Sequence, residues 1–139
     1  MWTYEHSIET SATPEAIWRL WADVENWGTW NTDIEKIEIR SPFAAGAEIT
    51  MTPAGQDPVQ LTLADVAENE RFTDEARIDG LILRTIHRLE RLGNQRTRVV
   101  YRMEITGTAA EEIGPQIGPA ITADWPETMA ALVSLAARA

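Results

Sequence analysis

The sequence contains no cysteine, which excludes disulfide bonds and thiol chemistry. It has only two histidines, His6 and His87, and neither stands at the spacing of a metal-binding motif. A GxSxG motif, a glycine-rich phosphate-binding loop and a Ser/His/Asp signature are also missing. Covalent catalysis and nucleotide chemistry therefore have no support, and we expect neither a metal nor another cofactor.

Basic patches and long apolar runs are missing too. Lys and Arg together number 12 against 22 Asp and Glu, so the formal net charge is −10, and the arginines are interleaved with acids. A phosphate backbone needs a basic patch, which argues against a nucleic-acid partner. No run approaches the roughly 18 apolar residues of a membrane span, and the N-terminus lacks the features of a signal peptide. We expect a cytoplasmic protein without membrane insertion, as a monomer or homodimer.

The length of 139 residues fits a single domain that covers the whole chain. Residues 2–10 alternate between apolar and polar side chains, which predicts a half-buried strand. Thr13 is the predicted N-cap of a short helix, and residues 25–30 predict a further helical turn. From Ile34 to Thr106 the pattern predicts about six antiparallel strands separated by turns.

The last thirty residues carry the strongest helical pattern. Their apolar side chains recur at helical spacing, which predicts a helix with one buried face: Ile117, Ile121, Trp125, Met129, Leu132, Val133 and Ala136. Thr108 and Glu111 suggest a capping box at its start, and Pro126 should kink the helix or split it in two. Because the pattern predicts strands in most of the upstream chain, the simplest arrangement is a curved sheet that wraps around this helix.

The sequence resembles the START-like, or SRPBCC, superfamily, which includes polyketide cyclase/dehydrase-like and Bet v 1-like proteins. The resemblance covers nearly the whole chain. It rests on the opening strand, on the long helix after Gly107 and on several short motifs. These motifs are Thr13-Pro14-Glu15-Ala16-Ile17-Trp18, Val24-Glu25-Asn26-Trp27, Trp30-Asn31, Pro42-Phe43 with Gly46, and His87-Arg88-Leu89-Glu90 before Gly93. It implies an α+β helix-grip fold. In that fold a curved seven-stranded antiparallel sheet wraps around a long C-terminal helix, with two short helices after strand 1 and an apolar cavity between sheet and helix. The resemblance does not imply one activity, because members bind, carry or transform hydrophobic molecules.

Four residues are candidates for acid–base chemistry: His6, His87, Asp74 and Tyr101. Both histidines alternate onto the apolar side of their strands, where they would shuttle protons near neutral pH or simply be hydrogen-bonded in the core. Tyr101 would donate to a carbonyl or pack in the core. Asp74 shares its side with Phe72, where desolvation would raise its pKa; a register shift of one residue would place it in water instead.

The predicted ligand-binding residues are mostly apolar and lie on the faces that would line the cavity: Tyr4, Trp30, Met51, Phe72, Leu83, Met103, Ile117, Ile121, Trp125 and Met129. Trp125 is the predicted cavity floor and Trp30 a rim residue. Trp21 and Trp27 are predicted core residues. For each residue taken singly, core packing is the competing interpretation.

Three functions follow from these observations. The first is binding or transport of a hydrophobic small molecule, lipid-like or polyketide-like, in the internal cavity. The second is a cyclase/dehydrase-type enzyme that uses the cavity His, Tyr and Asp side chains as acid–base groups. The third is a protein-interaction or regulatory module in which the cavity is collapsed.

Overall fold

The computed structural model describes residues 1–138. Its secondary structure, in chain order, is β1 (Trp2–Thr10), α1 (Pro14–Ala22), a 3₁₀ helix (Val24–Thr29), β2 (Ile34–Ile39), β3 (Glu48–Pro53), β4 (Val59–Ala67), β5 (Arg71–Ile78), β6 (Leu81–Leu92), β7 (Arg96–Gly107), α2 (Ala110–Thr122) and α3 (Trp125–Ala137). Within this described part of the chain, no helix is both long and apolar enough to cross a membrane. The predicted helix-grip fold is confirmed.

The strands form one seven-stranded antiparallel sheet in the order β1-β7-β6-β5-β4-β3-β2. The first strand therefore pairs with the last, and β1 and β2 are the two edges. In the register of the sheet, His6 lies opposite Tyr101, Tyr101 opposite His87, and His87 opposite Phe72. Directly opposed residues of an antiparallel pair share a face. These four side chains thus form one row across the inner face, which we define as the face towards α2 and α3.

The ends of the helices follow the sequence signals only in part. The hydroxyl of Thr13 accepts a hydrogen bond from the backbone N–H of Ala16 at 3.1 Å, as the predicted N-cap should. The predicted capping box of Thr108 with Glu111 is wrong, because α2 begins at Ala110 and has no side-chain cap. The C-terminal helix does split in two, but before Trp125. Pro126 then falls in the first turn of α3, where a missing N–H removes no helical hydrogen bond.

Two glycines allow α2 to lie directly on Trp2 at the β1 edge. A Cβ atom at Gly114 would be 2.5 Å from the Cβ of Trp2, and one at Gly118 would be 2.5 Å from its indole carbons. Helices α2 and α3 therefore cover β1, and α2 also covers β7. Trp21 of α1 and Trp27 of the 3₁₀ helix pack on Phe72 of β5, and the cavity forms over the part of the inner face that these helices leave open.

Candidate functional site

The site is a cavity of about 780 Å³ between the inner face of the sheet and helices α2 and α3. Small-molecule sites typically occupy about 300–1,000 Å³. Its larger apolar lining residues are Trp27, Trp30, Ile34, Met51, Val59, Leu61, Phe72, Ile78, Leu83, Met103, Ile117, Ile121 and Trp125. The polar lining residues are Asn31, Asp33, Gln56, Asp74, Thr85, His87, Tyr101, Gln116, Asp124 and Thr128.

The cavity opens to solvent where its lining residues are exposed. These are Asp33 before β2, Ala54 and Gln56 in the β3–β4 loop, Ile78 at the end of β5, Gln116, Ala120 and Ile121 on α2, and Ala123 between α2 and α3. Ile78 and Ile121 keep 43% and 39% of their surface accessible, although both are large apolar residues. This set of residues defines the mouth. The buried lining residues of β5, β6 and β7 form the interior.

His87 is a neutral imidazole in the interior of the cavity. Its ring stacks on Phe72 with a centroid separation of 3.9 Å and meets the ring of Tyr101 edge-on at 4.6 Å. Burial lowers the pKa of His87 to about 3, so the ring is uncharged at neutral pH. Its Nδ1 lies 3.3 Å from the backbone carbonyl oxygen of Phe72. Because a carbonyl oxygen only accepts, Nδ1 carries the hydrogen, and Nε2 is left as an acceptor.

Asp74 lies beside that acceptor. Its Oδ2 is 4.0 Å from His87 Nε2, which is too long for a direct hydrogen bond, and the neutral imidazole rules out an ion pair. Burial, and secondarily the negative charge of Glu75, raise the pKa of Asp74 to about 7. Its carboxyl group therefore exists in both protonation states near neutral pH, as a general acid or base requires.

Tyr101 supplies a hydroxyl group to the same interior. The indole Nε1 of Trp21 donates a hydrogen bond to this hydroxyl at 3.2 Å. Burial raises the pKa of Tyr101, so the hydroxyl keeps its proton. With its oxygen already accepting from Trp21, the hydroxyl is positioned by the protein and retains a proton to donate. Asp74, His87 and Tyr101 together offer a titrating acid, an acceptor and a donor in the interior of the cavity.

Two carboxyl groups, those of Asp33 and Asp124, lie close together at the mouth of the cavity. Asp33 belongs to the loop before β2, and Asp124 is the residue before α3. Burial, followed by a hydrogen bond with Asp33 and the negative charge of Asp33, raises the pKa of Asp124 to about 6. Asp124 makes no side-chain hydrogen bond to the first turn of α3. Sequence reasoning missed both residues. An Asp just before Trp125 and Pro126 is a helix-start signal that would have drawn attention to Asp124, whereas no sequence pattern identifies Asp33.

The structure brings together three of the four predicted acid–base residues. Asp74, His87 and Tyr101 line the cavity, but His6 does not. The predicted inward direction of His6 is consistent with its place opposite Tyr101. However, β1 is an edge strand beneath α2 and α3, so His6 is half-buried under the helices and not in the cavity. Whether the other three residues move protons stays a prediction.

Eight of the ten predicted ligand-binding residues line the cavity: Trp30, Met51, Phe72, Leu83, Met103, Ile117, Ile121 and Trp125. Tyr4 and Met129 do not. The ring of Trp125 packs against Tyr4 at 5.7 Å and against Tyr101 at 5.6 Å, so it stands between β1 and the cavity. Tyr4 is 37% exposed on the far side, and Met129 is fully buried in the core. Trp30, the predicted rim residue, and Trp27, the predicted core residue, are both buried and both line the wall.

The chain matches one protein-family model and is similar in structure to several solved proteins. Residues 1–138 match the family model described as polyketide cyclase / dehydrase and lipid transport. A START superfamily protein from Mycobacterium smegmatis has a similar structure, with 16% identity, coverage of 98% of this chain and 97% of that chain, and a TM-score of 0.75. Truncated norcoclaurine synthase from Thalictrum flavum is also similar, with 15% identity, coverage of 96% of this chain and 92% of that chain, and a TM-score of 0.78. Ara h 8.0201 has 11% identity, coverage of 99% of each chain and a TM-score of 0.78. At these identities the structural likeness shows the fold alone. No protein of curated function matches the sequence significantly.

Proposed function

The chain belongs to the polyketide cyclase/dehydrase and lipid transport family, and from this premise we propose that it binds a hydrophobic small molecule in the cavity beneath α2 and α3. The observation that carries the proposal is the cavity itself. It measures about 780 Å³, opens to solvent and is lined mainly by aromatic and aliphatic side chains. Protein interiors normally contain few voids larger than a water molecule. A space of this size is therefore better explained as a binding site than as imperfect packing.

The physical driving force for binding is the removal of apolar wall from water. Phe72, Leu83 and Met103 are buried by the fold, and each also lines the cavity. A bound apolar molecule would fill that space and supply the missing dispersion contacts. The aromatic rings of Trp27 and Trp125 would add flat surfaces against which a ring system can pack.

A titration with the neutral fluorescent probe N-phenyl-1-naphthylamine tests this proposal. Ala120 is an exposed lining residue of α2, so Ala120→Trp should obstruct the mouth without disturbing the core. Ala131→Trp places the same side chain on an exposed position of α3 outside the cavity and is the matched control. We expect saturable one-to-one binding to the parent protein and the control, and affinity at least about tenfold weaker in Ala120→Trp. Absence of saturable binding, or equal binding to all three proteins, would contradict the proposal.

The polar interior supports a second candidate function, an acid–base enzyme of the cyclase/dehydrase type. Ionised Asp74 would take a proton from a carbon next to a ketone, the electron pair would move to the carbonyl oxygen, and the Tyr101 hydroxyl would stabilise the resulting enolate by donating a hydrogen bond to that oxygen. The Nε2 of His87 would accept a hydrogen bond from the substrate. The supporting observation is that all three groups line one cavity and that Asp74 has a pKa of about 7.

Deuterium exchange into a ketone probe separates the enzyme from the carrier. With 2-acetylnaphthalene in D₂O, an enzyme should accelerate loss of the methyl proton signal, and Asp74→Asn should abolish the acceleration while leaving probe affinity unchanged. A carrier binds the ketone without accelerating exchange. Exchange that persists in Asp74→Asn would remove this residue from the mechanism.

A further inference from the structure

Two polar side chains in the interior of the cavity, those of Asp74 and His87, are separated by a gap that one oxygen atom fits. The Oδ2 atom of Asp74 lies 4.0 Å from Nε2 of His87, and both residues line the cavity. This separation is too long for a direct hydrogen bond. An oxygen atom about 2.8 Å from each of the two atoms would bridge them. The pair therefore has the geometry of a site for one bridging oxygen atom.

The Asp74 carboxyl group is open to the cavity. Its side chain keeps 10% of its surface accessible, and no hydrogen bond from the described part of the chain acts on it. In residues 1–138, no side-chain nitrogen or oxygen atom is both fully enclosed and without a hydrogen-bond partner. The carboxyl oxygens must therefore be accessible from the cavity. Because polar groups in protein interiors are normally hydrogen-bonded, this carboxyl group marks a position for a polar atom of a ligand.

The two groups require a ligand atom that both donates and accepts a hydrogen bond. The Nδ1 atom of His87 lies 3.3 Å from the carbonyl oxygen of Phe72 and carries the ring hydrogen, so Nε2 is an acceptor. Asp74 donates when its carboxyl group is protonated. A hydroxyl group satisfies both, whereas a ketone, ether or carboxylate oxygen only accepts and an ammonium group only donates.

An anionic ligand is disfavoured for a second reason. No Lys or Arg lines the cavity. The arginines of the sheet lie on its outer face, where they pair with acids, as Arg84 does with Glu75. A carboxylate or phosphate group would therefore enter the interior without a counter-ion, in a protein whose formal net charge is −10.

Aromatic rings surround the same position. The ring of His87 stacks on Phe72 at 3.9 Å and meets Tyr101 edge-on at 4.6 Å, and Tyr101 in turn meets Trp125 edge-on at 5.6 Å. All four residues line the cavity. Offset and edge-to-face contacts are the arrangements that aromatic rings prefer, so a further ring fits among these side chains. The surroundings favour a hydroxyl group that is attached to an aromatic body.

We propose that the ligand is an uncharged phenol or aromatic alcohol whose hydroxyl group bridges Asp74 and His87. This proposal rests on the binding function proposed above and names its ligand class. The hydroxyl oxygen would accept a hydrogen bond from the carboxyl group of Asp74, and its hydrogen would be donated to Nε2 of His87. An ether in the same place would leave Nε2 without a donor. Fatty acids and other carboxylates are excluded as preferred ligands.

Three probes with one ring system test the preference for a hydroxyl group. 2-Naphthol donates and accepts, 2-methoxynaphthalene only accepts, and 2-naphthoate is an anion. Isothermal titration calorimetry with the protein as titrant compares them at about pH 6, below the Asp74 pKa of about 7. We expect 2-naphthol to bind at least about tenfold more tightly than 2-methoxynaphthalene, and 2-naphthoate to bind most weakly.

The two histidines provide a variant and a matched control. His87→Phe keeps a ring against Phe72 but removes the acceptor, so the affinities for the two neutral probes should come within about twofold of each other. His6 lies on the inner face of β1, opposite Tyr101, but does not line the cavity. His6→Phe makes the same substitution there and should preserve the preference for 2-naphthol.

Nuclear magnetic resonance of ¹⁵N-labelled imidazole rings detects the bond without a variant of His87. The chain contains only two histidines, and the spectrum of His6→Phe identifies the signals of His87. The Nε2 signal of His87 should move towards that of a hydrogen-bonded nitrogen when 2-naphthol binds, but not when 2-methoxynaphthalene binds. The signals of His6 should stay unchanged with both probes.

The two neutral probes distinguish the two levels of the proposal. If neither binds the parent protein, the binding function itself fails. Four results would overturn the hydroxyl proposal while the binding function stands: equal affinity for both probes, a preference that survives in His87→Phe, tighter binding of 2-naphthoate, or an Nε2 signal that does not respond to bound 2-naphthol.

Discussion

Replacing Asp74 with asparagine is expected to change how the stability of the protein depends on pH. Asparagine has nearly the same shape as aspartic acid but does not titrate. In the folded protein Asp74 is 7% exposed, and burial is the main cause of its raised pKa. The unfolded chain returns this carboxyl to water. The variant therefore removes the proton-linked part of the stability while changing the packing little.

The sign and size of the effect follow from the two pKa values. The pKa of Asp74 is 3.8 in water and about 7 in the folded protein. Between these two pH values the folded state holds a proton that the unfolded chain has released, so a rising pH favours unfolding. This contribution of Asp74 is complete below about pH 4 and is lost as the pH rises through about 7. From about pH 5.5 to about pH 8, the parent protein should lose about 2 kcal/mol of unfolding free energy relative to Asp74→Asn.

Urea unfolding at several pH values measures this difference. Working above about pH 5.5 avoids the region around the pI of about 4.6, where low net charge promotes precipitation. Asp57→Asn removes a carboxyl from the exposed β3–β4 loop and should differ from the parent protein by the same amount at every pH. If the curves for Asp74→Asn and the parent protein are also parallel, Asp74 is not a buried, proton-holding carboxyl and the reasoning is wrong.

Three further changes have defined outcomes. His87→Phe should show the opposite pH dependence, because burial lowers the pKa of His87 to about 3. As the pH falls from about 8 to about 5.5, the parent protein should lose about 1 kcal/mol of unfolding free energy relative to the variant. Parallel urea-unfolding curves would contradict this expectation. Gly118→Ala should lower the free energy of unfolding by about 1–3 kcal/mol through the clash with Trp2, despite the higher helix propensity of alanine. A double-mutant cycle with Trp2→Ala should remove most of that loss, and strictly additive losses would disprove the contact. Thr97→Val should cost about 1 kcal/mol or more in urea unfolding, because the buried Thr97 hydroxyl donates to the Ala12 carbonyl at 2.8 Å; an unchanged midpoint would show that this bond contributes nothing.

Alternation along the strands was enough to predict which side of the sheet most candidate residues occupy. Asp74 shares a face with Phe72 in a pattern of period two, and the register of β5 against β6 places both on the inner face, near His87. A register shift of one residue would have placed Asp74 in water, but the apolar neighbours on the inner face fix the register. Local patterns therefore predicted the interior of the cavity well.

Which candidate residues lie outside the cavity depends on how the elements pack. Nothing in the alternation of β1 reveals that α2 and α3 lie over this edge, so that neither His6 nor Tyr4 lines the cavity. The position of α2 depends instead on Gly114 and Gly118, whose missing side chains make room for Trp2. The contact of Asp33 with Asp124 joins residues far apart in the sequence and has no local signal.

The most direct test of cavity binding is a crystal structure of the protein with 2-(6-bromo-2-naphthyl)ethanol. Anomalous scattering from bromine locates the probe without reference to the shape of its density. The proposed function predicts one bromine peak per chain inside the cavity, within about 5 Å of Phe72, Leu83 or Trp125. A bromine peak only on the outer surface, or an interior closed by collapsed side chains, would contradict the claim that this protein binds a hydrophobic molecule beneath its C-terminal helices.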